Sequence, residues 1–229
     1  MFTYAIGDIH GCNRTFQALL DQLPLQPGDA LILLGDLIDR GPDSKGVIDR
    51  VWQLQAAGHS VTCLRGNHEQ LLLNARLDDE KLELWLFNGG RQTLESFGVE
   101  RIQEIPRVYL AFMRSMPYWY ETEGYLCVHG GLDFTKPFPL ERPEVLMWTR
   151  AWYDRLDYIW LGPRKVLHGH TPLEMKTIRA QQKLISKQQY LNLDNGCVYA
   201  HMKILRSDMG SLLAFCLDNE ELFAQKCLD

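Results

Sequence analysis

Gly35-Asp36-Leu37-Ile38-Asp39-Arg40-Gly41 is the stretch of sequence on which the predicted fold depends. It directly follows an apolar run, residues 30–34, which is typical of a strand buried on both faces of a parallel sheet. Open α/β sheets bind their ligands at the carboxyl ends of such strands. Two carboxylates and a guanidinium are costly to bury there without partners. This stretch therefore predicts a site that binds charged ligands.

Four further polar clusters also follow apolar, strand-like runs: GDIHG at 7–11, GNHE at 66–69, HGG at 129–131 and HGH at 168–170. Each cluster alone is better explained by a turn residue, a helix N-cap or a core histidine, but their repetition is not. Glycine permits a tight turn at a strand end, and we expect the ends of all five strands to meet on one parallel sheet. The Asp, His and Asn ligands, without a thiolate, suit manganese, iron or zinc. The pattern predicts a dinuclear metal site.

The order of elements supports this interpretation. Apolar spacing predicts β-α-β-α-β-α up to residue 77, which is typical of a parallel sheet with right-handed crossovers. Residues 78–104 are expected to form short helices over the sheet. Later β-type runs are predicted at 177–179, 190–193, 198–205 and 212–217, the last two joined as a hairpin by a turn at 207–210. Without a repeat or linker, residues 1–229 are predicted to form one α/β domain.

Composition limits the classes of function. The 229 residues carry a formal net charge of −5, so we expect no nucleic-acid partner and no attraction to an anionic membrane. The sequence shows no signal peptide or apolar run of spanning length, and we expect a cytoplasmic protein. The six cysteines form no CxxC pair and are expected to be reduced, mostly buried thiols. Cys12 adjoins the first polar cluster, but a small turn residue is the favoured interpretation over a ligand.

Taken together, the motifs GDIHG, GDLIDRG, GNHE, HGG and HGHT resemble the phosphoprotein phosphatases among the calcineurin-like metallophosphoesterases. Their order and the compact chain are similar to the bacterial and bacteriophage-lambda type of serine/threonine phosphatase. The resemblance spans residues 7–171. It implies a central β-sandwich of mixed sheets flanked by helices. It also implies two divalent metal ions, with manganese expected and iron or zinc as alternatives.

The resemblance further implies a role for each motif residue. His68 would be the general acid, oriented by Asp39. Asp36 would bridge the two metals. The implied ligands of the first metal are Asp8, His10 and Asp36, and those of the second are Asp36, Asn67, His129 and His170. The implied phosphate-binding residues are Arg40, Arg65 and Arg150, while His168 is expected to stay out of direct coordination.

The implied activity is metal-dependent phosphomonoester hydrolysis, in one in-line step, on phosphoserine or phosphothreonine in proteins and also on phosphotyrosine. A symmetrical diadenosine-tetraphosphatase is the alternative, and a non-catalytic binding module is a third. Those tetraphosphatases typically read GDLVARG and end the third motif in Asp, so Asp39 and Glu69 favour the phosphatase. The segment 192–196 resembles the family's DTG strand with Asn195 in place of Thr, and Ala200 and His201 replace a common glycine pair. The oligomeric state stays open.

Overall fold

The computed structural model describes residues 1–200 and 208–229. The strands are β1 (Thr3–Ile6), β2 (Ala30–Leu33), β3 (Ser60–Cys63), β4 (Trp119–Thr122), β5 (Tyr125–Val128), β6 (Lys165–His168), β7 (Tyr190–Asn192), β8 (Ser211–Cys216) and β9 (Leu222–Lys226). The helices are α1 (Asn13–Leu20), α2 (Ser44–Ala56), α3 (Asn67–Asn74), α4 (Asp79–Trp85), α5 (Arg91–Phe97), α6 (Arg107–Ser115), α7 (Pro143–Trp148), α8 (Tyr158–Leu161), α9 (Met175–Lys183) and α10 (Ile185–Gln188).

The strands form two mixed sheets, which confirms the predicted fold class. One sheet has the order β3-β2-β1-β8-β9, with β1 to β3 parallel and β8 antiparallel to β1. The other has the order β4-β5-β6-β7, with β5 to β7 parallel. The expectation of a single sheet was wrong: three polar clusters follow strands of the first sheet, and HGG and HGH follow β5 and β6 of the second. The clusters meet because two sheets are packed together.

Apolar side chains fill the space between the sheets. Ala5, Ile32 and Phe215 of the first sheet share a buried cluster with Cys127 and Leu191 of the second. Alternate residues of the same strands point outward, as the two-residue period of a strand requires. These residues pack under helices on the first sheet and under α7 and α8 on the second. The helices thus cover the outer faces of a sandwich and leave the strand ends clear for a site.

Several local predictions are confirmed and others are corrected. Residues 78–104 form short helices, as expected, joined by a π-helical turn at Leu86–Gly90. The run 177–179 is not a strand, because it lies inside α9 and only Ile178 of the three is buried. Strand β9 was not predicted, and it forms the hairpin with β8. The run 198–205 begins in a 3-10 turn, Cys197–Tyr199, and its remainder largely lies outside the described residues.

No helix within residues 1–200 and 208–229 is long and apolar enough to cross a membrane.

Candidate active site

Backbone strain is concentrated where the polar clusters meet. Of the eight non-glycine residues with positive φ in the described chain, five are predicted site residues: His10, Asp36, Asp39, Arg40 and His170. Such a conformation costs on the order of 1–3 kcal/mol per residue and persists only where the surroundings enforce it. The loops after β1, β2 and β6 are therefore held in shapes that aim these side chains, at the expense of local backbone energy.

Asp36 is the centre of this arrangement. One of its carboxylate oxygens, Oδ2, lies 3.5 Å from Nε2 of His10 and 3.4 Å from Nε2 of His129. The other, Oδ1, accepts the backbone N–H of His68 at 3.0 Å. This approach is possible because residue 66 is glycine: a Cβ there would overlap the Asp36 carboxylate. Asp36 therefore contacts both halves of the site, as its predicted bridging role requires.

Two groups of potential ligand atoms share Asp36, and within each group the atoms lie within 4.8 Å of one another. One group is His10, Asp36 and His68, and the other is Asp36, His129 and His170. Asn67 joins the second group through Oδ1, which lies 3.0 Å from Nε2 of His129.

Asp8 is the one predicted ligand that belongs to neither group. Its carboxylate accepts the backbone N–H of His170, at 3.2 Å to Oδ1 and 3.0 Å to Oδ2. A Cβ on residue 169 would overlap this carboxylate, so the glycine of the HGH cluster lets the two strand ends approach. Asp8 thus lies at the site and ties the two sheets together, and its metal-binding role stays a prediction.

The buried charges favour cations. Burial and the nearby Asp194 hold the pKa of Asp8 well above its usual range. Burial also raises the pKa of Asp194 to about 6, and the charge of Asp36 adds to this effect. Burial opposes the protonation of His129, but Asp36 outweighs it and raises the pKa of that histidine to about 10. The raised pKa values of Asp8 and Asp194 reflect carboxyl groups crowded in one buried region, and a bound cation would favour their ionised forms.

The donor set fits divalent metal ions. Nδ1 of His10 hydrogen bonds to the carbonyl of Ile38 at 2.9 Å, and Nδ1 of His129 to that of Leu34 at 2.8 Å. Both Nε2 atoms therefore face Asp36, in the orientation that protein metal sites use. Nε2 of His170 is buried without a hydrogen-bond partner, which is costly unless a ligand is bound. Oxygen and imidazole donors without thiolates match manganese, iron or zinc.

A second feature of the site is a rigid histidine–aspartate pair. Nδ1 of His68 donates to Oδ2 of Asp39 at 2.8 Å, and Asp39 is fully buried. The Asp39 carboxylate also accepts the indole N–H of Trp85 at 3.0 Å and the hydroxyl of Thr93 at 2.6 Å. These donors fix the carboxylate, which in turn fixes the ring orientation and tautomer of His68.

Two of the three predicted phosphate-binding arginines line the cavity. Nη1 of Arg40 donates to Nε2 of His10 at 2.7 Å, and its guanidinium lies 5.3 Å from the centre of the Tyr199 ring. Nη1 of Arg150 donates to the carbonyl of His170 at 3.1 Å. The cavity measures about 200 Å³. Its lining consists of His10, Asp36, Arg40, Asn67, His68, Arg150, His170, Pro172, Asp194, Gly196 and Tyr199.

Arg65 does not belong to this lining. Its guanidinium donates to the hydroxyl of Tyr118 at 2.7 Å and to the carbonyl of Arg114, and it lies 4.7 Å from the centre of the Tyr118 ring. The side chain is 9% exposed. The structure thus places Arg65 next to the site with both Nη groups engaged elsewhere and its Nε without a hydrogen-bond partner, and its predicted contact with phosphate stays a prediction.

No structural role was predicted from the sequence for Glu69, which hydrogen bonds to the backbone of the loop that carries Asp36. Its carboxylate accepts three backbone N–H groups, those of Asp36 at 3.0 Å, Leu37 at 2.8 Å and Gly66 at 2.9 Å. Trp85 and Thr93 were also missed, because they lie in the helical segment that carried no motif. Asp194 had a signal in its resemblance to the DTG strand. Glu69 thus fixes the backbone around Asp36, and Trp85 and Thr93 fix Asp39.

The aromatic residues near the site include both core and surface residues. Trp152 is 3% exposed and packs in the core of the second sheet. Trp148 is 45% exposed, and the centre of its ring lies 6.1 Å from that of His170. His168 is buried beside Tyr153, whose hydroxyl lies 2.8 Å from its Nε2, and it lies outside both ligand groups. Trp148 therefore offers an exposed aromatic ring beside the site.

Comparison with known proteins identifies this arrangement. The profile of the calcineurin-like phosphoesterases matches residues 3–202. The chain belongs to this family. The match confirms the metallophosphoesterase fold and the general class of phosphoester hydrolase. The family membership and the two ligand groups together support a dinuclear centre of divalent ions.

Individual relatives carry two different names. The chain is 42% identical over 88 residues to serine/threonine-protein phosphatase 1 of Salmonella typhimurium, covering 38% of each protein. It is 31% identical over 133 residues to a symmetrical bis(5'-nucleosyl)-tetraphosphatase of Pseudomonas putida, covering 58% of this chain and 43% of that protein. The chain thus spans less than half the length of these curated relatives.

Solved structures show the same fold at low identity. A serine/threonine phosphatase from Saccharomyces cerevisiae matches with a TM-score of 0.65 and 16% identity, covering 100% of this chain and 81% of that one. A protein provisionally named a diadenosine tetraphosphatase matches with a TM-score of 0.64 and 22% identity, covering 97% and 92%.

Proposed function

We propose that this phosphoesterase is a protein phosphatase that hydrolyses phosphoserine and phosphothreonine, and also phosphotyrosine, in phosphorylated proteins. The observation that carries this proposal is the buried His68–Asp39 pair, joined by a 2.8 Å hydrogen bond. A serine or threonine alkoxide is a poor leaving group and needs a proton as the P–O bond breaks. A nucleotide leaves as a phosphate anion, which has far less need of a proton. A fixed general acid therefore favours the monoester.

The ligand groups around Asp36 would hold two divalent ions, for which manganese is our first expectation. Such a pair supplies a nucleophile at neutral pH and neutralises charge on the phosphoryl oxygens. In the first group His10 would bind metal, with Asp8 adjacent, while His68 would act on the substrate; Asn67, His129 and His170 would complete the second group.

The remaining polar groups of the cavity would act on the substrate. Arg150 and Arg40 would donate to phosphoryl oxygens, since guanidinium groups match two oxygens at once. In the structure Arg40 donates to Nε2 of His10. When that nitrogen serves as a ligand, the N–H groups of Arg40 become available for phosphate. His68, oriented by Asp39, would deliver its Nε2 proton to the leaving oxygen.

The size of the site is compatible with this assignment. A cavity of about 200 Å³ holds a phosphoryl group and a short side chain, while the rest of a peptide stays outside. Phosphorylated proteins would therefore be recognised on the surface around the opening. Phe87, which is 89% exposed, is a candidate for such contacts.

Symmetrical cleavage of diadenosine tetraphosphate is the second candidate, because the Pseudomonas putida relative carries that name. The two activities are separated by assaying a phosphoserine peptide and diadenosine tetraphosphate side by side with saturating manganese. The proposal predicts phosphate release from the peptide with a larger kcat/KM than ADP release from the nucleotide. ADP release without measurable peptide hydrolysis would overturn it in favour of the second candidate.

A further inference from the structure

A cluster of three cysteines lies behind the catalytic loops. Cys12, Cys197 and Cys227 place their sulfur atoms within 4.8 Å of one another. The first two are buried and the third is half-buried. Cys63, Cys127 and Cys216 belong to no such group among the described residues. Burial of an isolated thiol is ordinary, but convergence of three sulfurs from distant parts of a chain needs a separate explanation.

The three residues come from three different segments. Cys12 follows the GDIHG cluster and precedes α1, and Cys197 opens the 3-10 turn after Gly196, which lines the catalytic cavity. Cys227 follows β9, where its backbone N–H donates to the carbonyl of Gly210 at 3.0 Å. Anything that binds all three sulfurs therefore connects the end of the chain to two loops of the site.

Backbone contacts hold the third segment in place. The Asp229 carboxylate accepts the backbone N–H groups of Arg14 at 3.1 Å and Thr15 at 2.9 Å, and also the Thr15 hydroxyl at 2.6 Å. The backbone N–H of Leu228 donates to the same hydroxyl at 2.8 Å. These bonds anchor the two residues that follow Cys227 to the start of α1, so the cluster is already assembled before any ligand binds.

We propose that Cys12, Cys197 and Cys227 bind one thiophilic cation, such as Zn²⁺ or Cu⁺, through three thiolates. Zn–S bonds of about 2.3 Å in a tetrahedral site place sulfurs about 3.8 Å apart. The three sulfurs lie within 4.8 Å of one another, so each pair would have to approach by about 1 Å at most to bind such an ion. Soft thiolates select these cations over manganese, which the oxygen and nitrogen donors around Asp36 suit. The half-buried Cys227 gives the ion access, and a water or added thiol can supply a fourth ligand.

Cobalt provides a probe that does not depend on enzyme activity. Reduced protein, first saturated with Mn²⁺, is titrated with Co²⁺ while the near-ultraviolet absorption is followed. Thiolate ligation predicts an intense sulfur-to-cobalt band that saturates at one ion per chain and disappears on addition of Zn²⁺. Ions at the Asp36 centre give no such band, because that centre contains no sulfur, so this test is separate from the proposed phosphatase activity.

Two cysteine variants test whether the absorption band arises from cobalt bound at this cluster. Cys227→Ala should lower the cobalt affinity at least about 100-fold, since losing a ligand costs more than losing a second-shell partner. Cys63→Ala removes a buried cysteine outside the cluster and should leave the band unchanged. If the Cys227 variant does not fold, Zn²⁺ should still protect Cys227 of the wild-type chain from iodoacetamide. Absence of the band, an equal band in Cys227→Ala, or a disulfide linking these cysteines in reduced preparations would overturn the proposal.

Discussion

Replacing His68 with asparagine tests the proposed general acid most directly. In the structure Nδ1 of His68 donates to Oδ2 of Asp39 at 2.8 Å, and Asp39 is fully buried. The asparagine amide can place an N–H near the same position, so Asp39 keeps a donor. The variant therefore avoids the penalty of roughly 1–3 kcal/mol for an unpaired buried acceptor. The variant lacks Nε2, the ring nitrogen whose proton would be transferred to the leaving group.

The expected effect depends on the leaving group. General acid catalysis contributes about 10²–10⁴-fold, which corresponds to about 2.7–5.4 kcal/mol of transition-state stabilisation. We expect a loss of that size in kcat for a phosphoserine peptide, whose alkoxide needs the proton. For p-nitrophenyl phosphate, whose leaving group is stable as an anion, we expect a loss below about 10-fold.

The assay is steady-state hydrolysis of phosphoserine peptide, phenyl phosphate and p-nitrophenyl phosphate by both proteins at saturating manganese. Metal content must be measured in parallel, because a ring nitrogen of His68 lies within 4.8 Å of potential ligand atoms of His10 and Asp36. A loss that accompanies metal depletion would be uniform across substrates. Equal losses on all three substrates with full metal content would refute the role of His68 as the acid.

Three further predictions follow from the same contacts. Asp36→Asn should lower the bound metal from two ions to at most one, because Asp36 belongs to both ligand groups; two ions retained, measured by elemental analysis, would contradict bridging. Glu69→Gln should reduce the free energy of unfolding by roughly 1–3 kcal/mol in a urea titration, since three backbone N–H groups lose a charged acceptor. An unchanged midpoint would exclude that support. Trp148→Ala should lower kcat/KM roughly 10-fold for diadenosine tetraphosphate, whose bases can stack on its exposed ring, and leave phosphoserine peptide unaffected; equal losses would show a general structural effect.

Local sequence patterns were enough to predict the strand-turn elements of the site. The glycine-flanked clusters after β1, β2 and β3 could be predicted because a buried strand and a tight turn are both encoded within a few residues. The division into two sheets could not, because an apolar run does not specify which strand will be its neighbour. That choice depends on packing between distant segments, such as Phe215 of β8 against Tyr125 of β5.

The errors have equally local causes. Residues 177–179 contain Thr and Ile, which favour strands, but α9 forms because Ile178 and Gln181 face the core at helical spacing. Tertiary packing overrides a three-residue preference. The cysteine cluster could not be predicted for another reason. Cys12 and Cys197 are far apart in sequence, and no spacing rule relates them. Chain reversal through β8 and β9 brings the third sulfur to the other two.

The structure separates the two residues that favour the proposed phosphatase over the tetraphosphatase. Asp39 and Glu69 both distinguish the motifs of this chain from those typical of the tetraphosphatases, but their contacts differ. Glu69 accepts three backbone N–H groups and does not line the cavity, so it stabilises the strained loop that carries Asp36. Such a support serves a metal centre whatever the substrate. Asp39 instead binds His68, which lines the cavity. The argument for a monoester with a poor leaving group therefore depends on Asp39 alone, and Glu69 adds nothing to it.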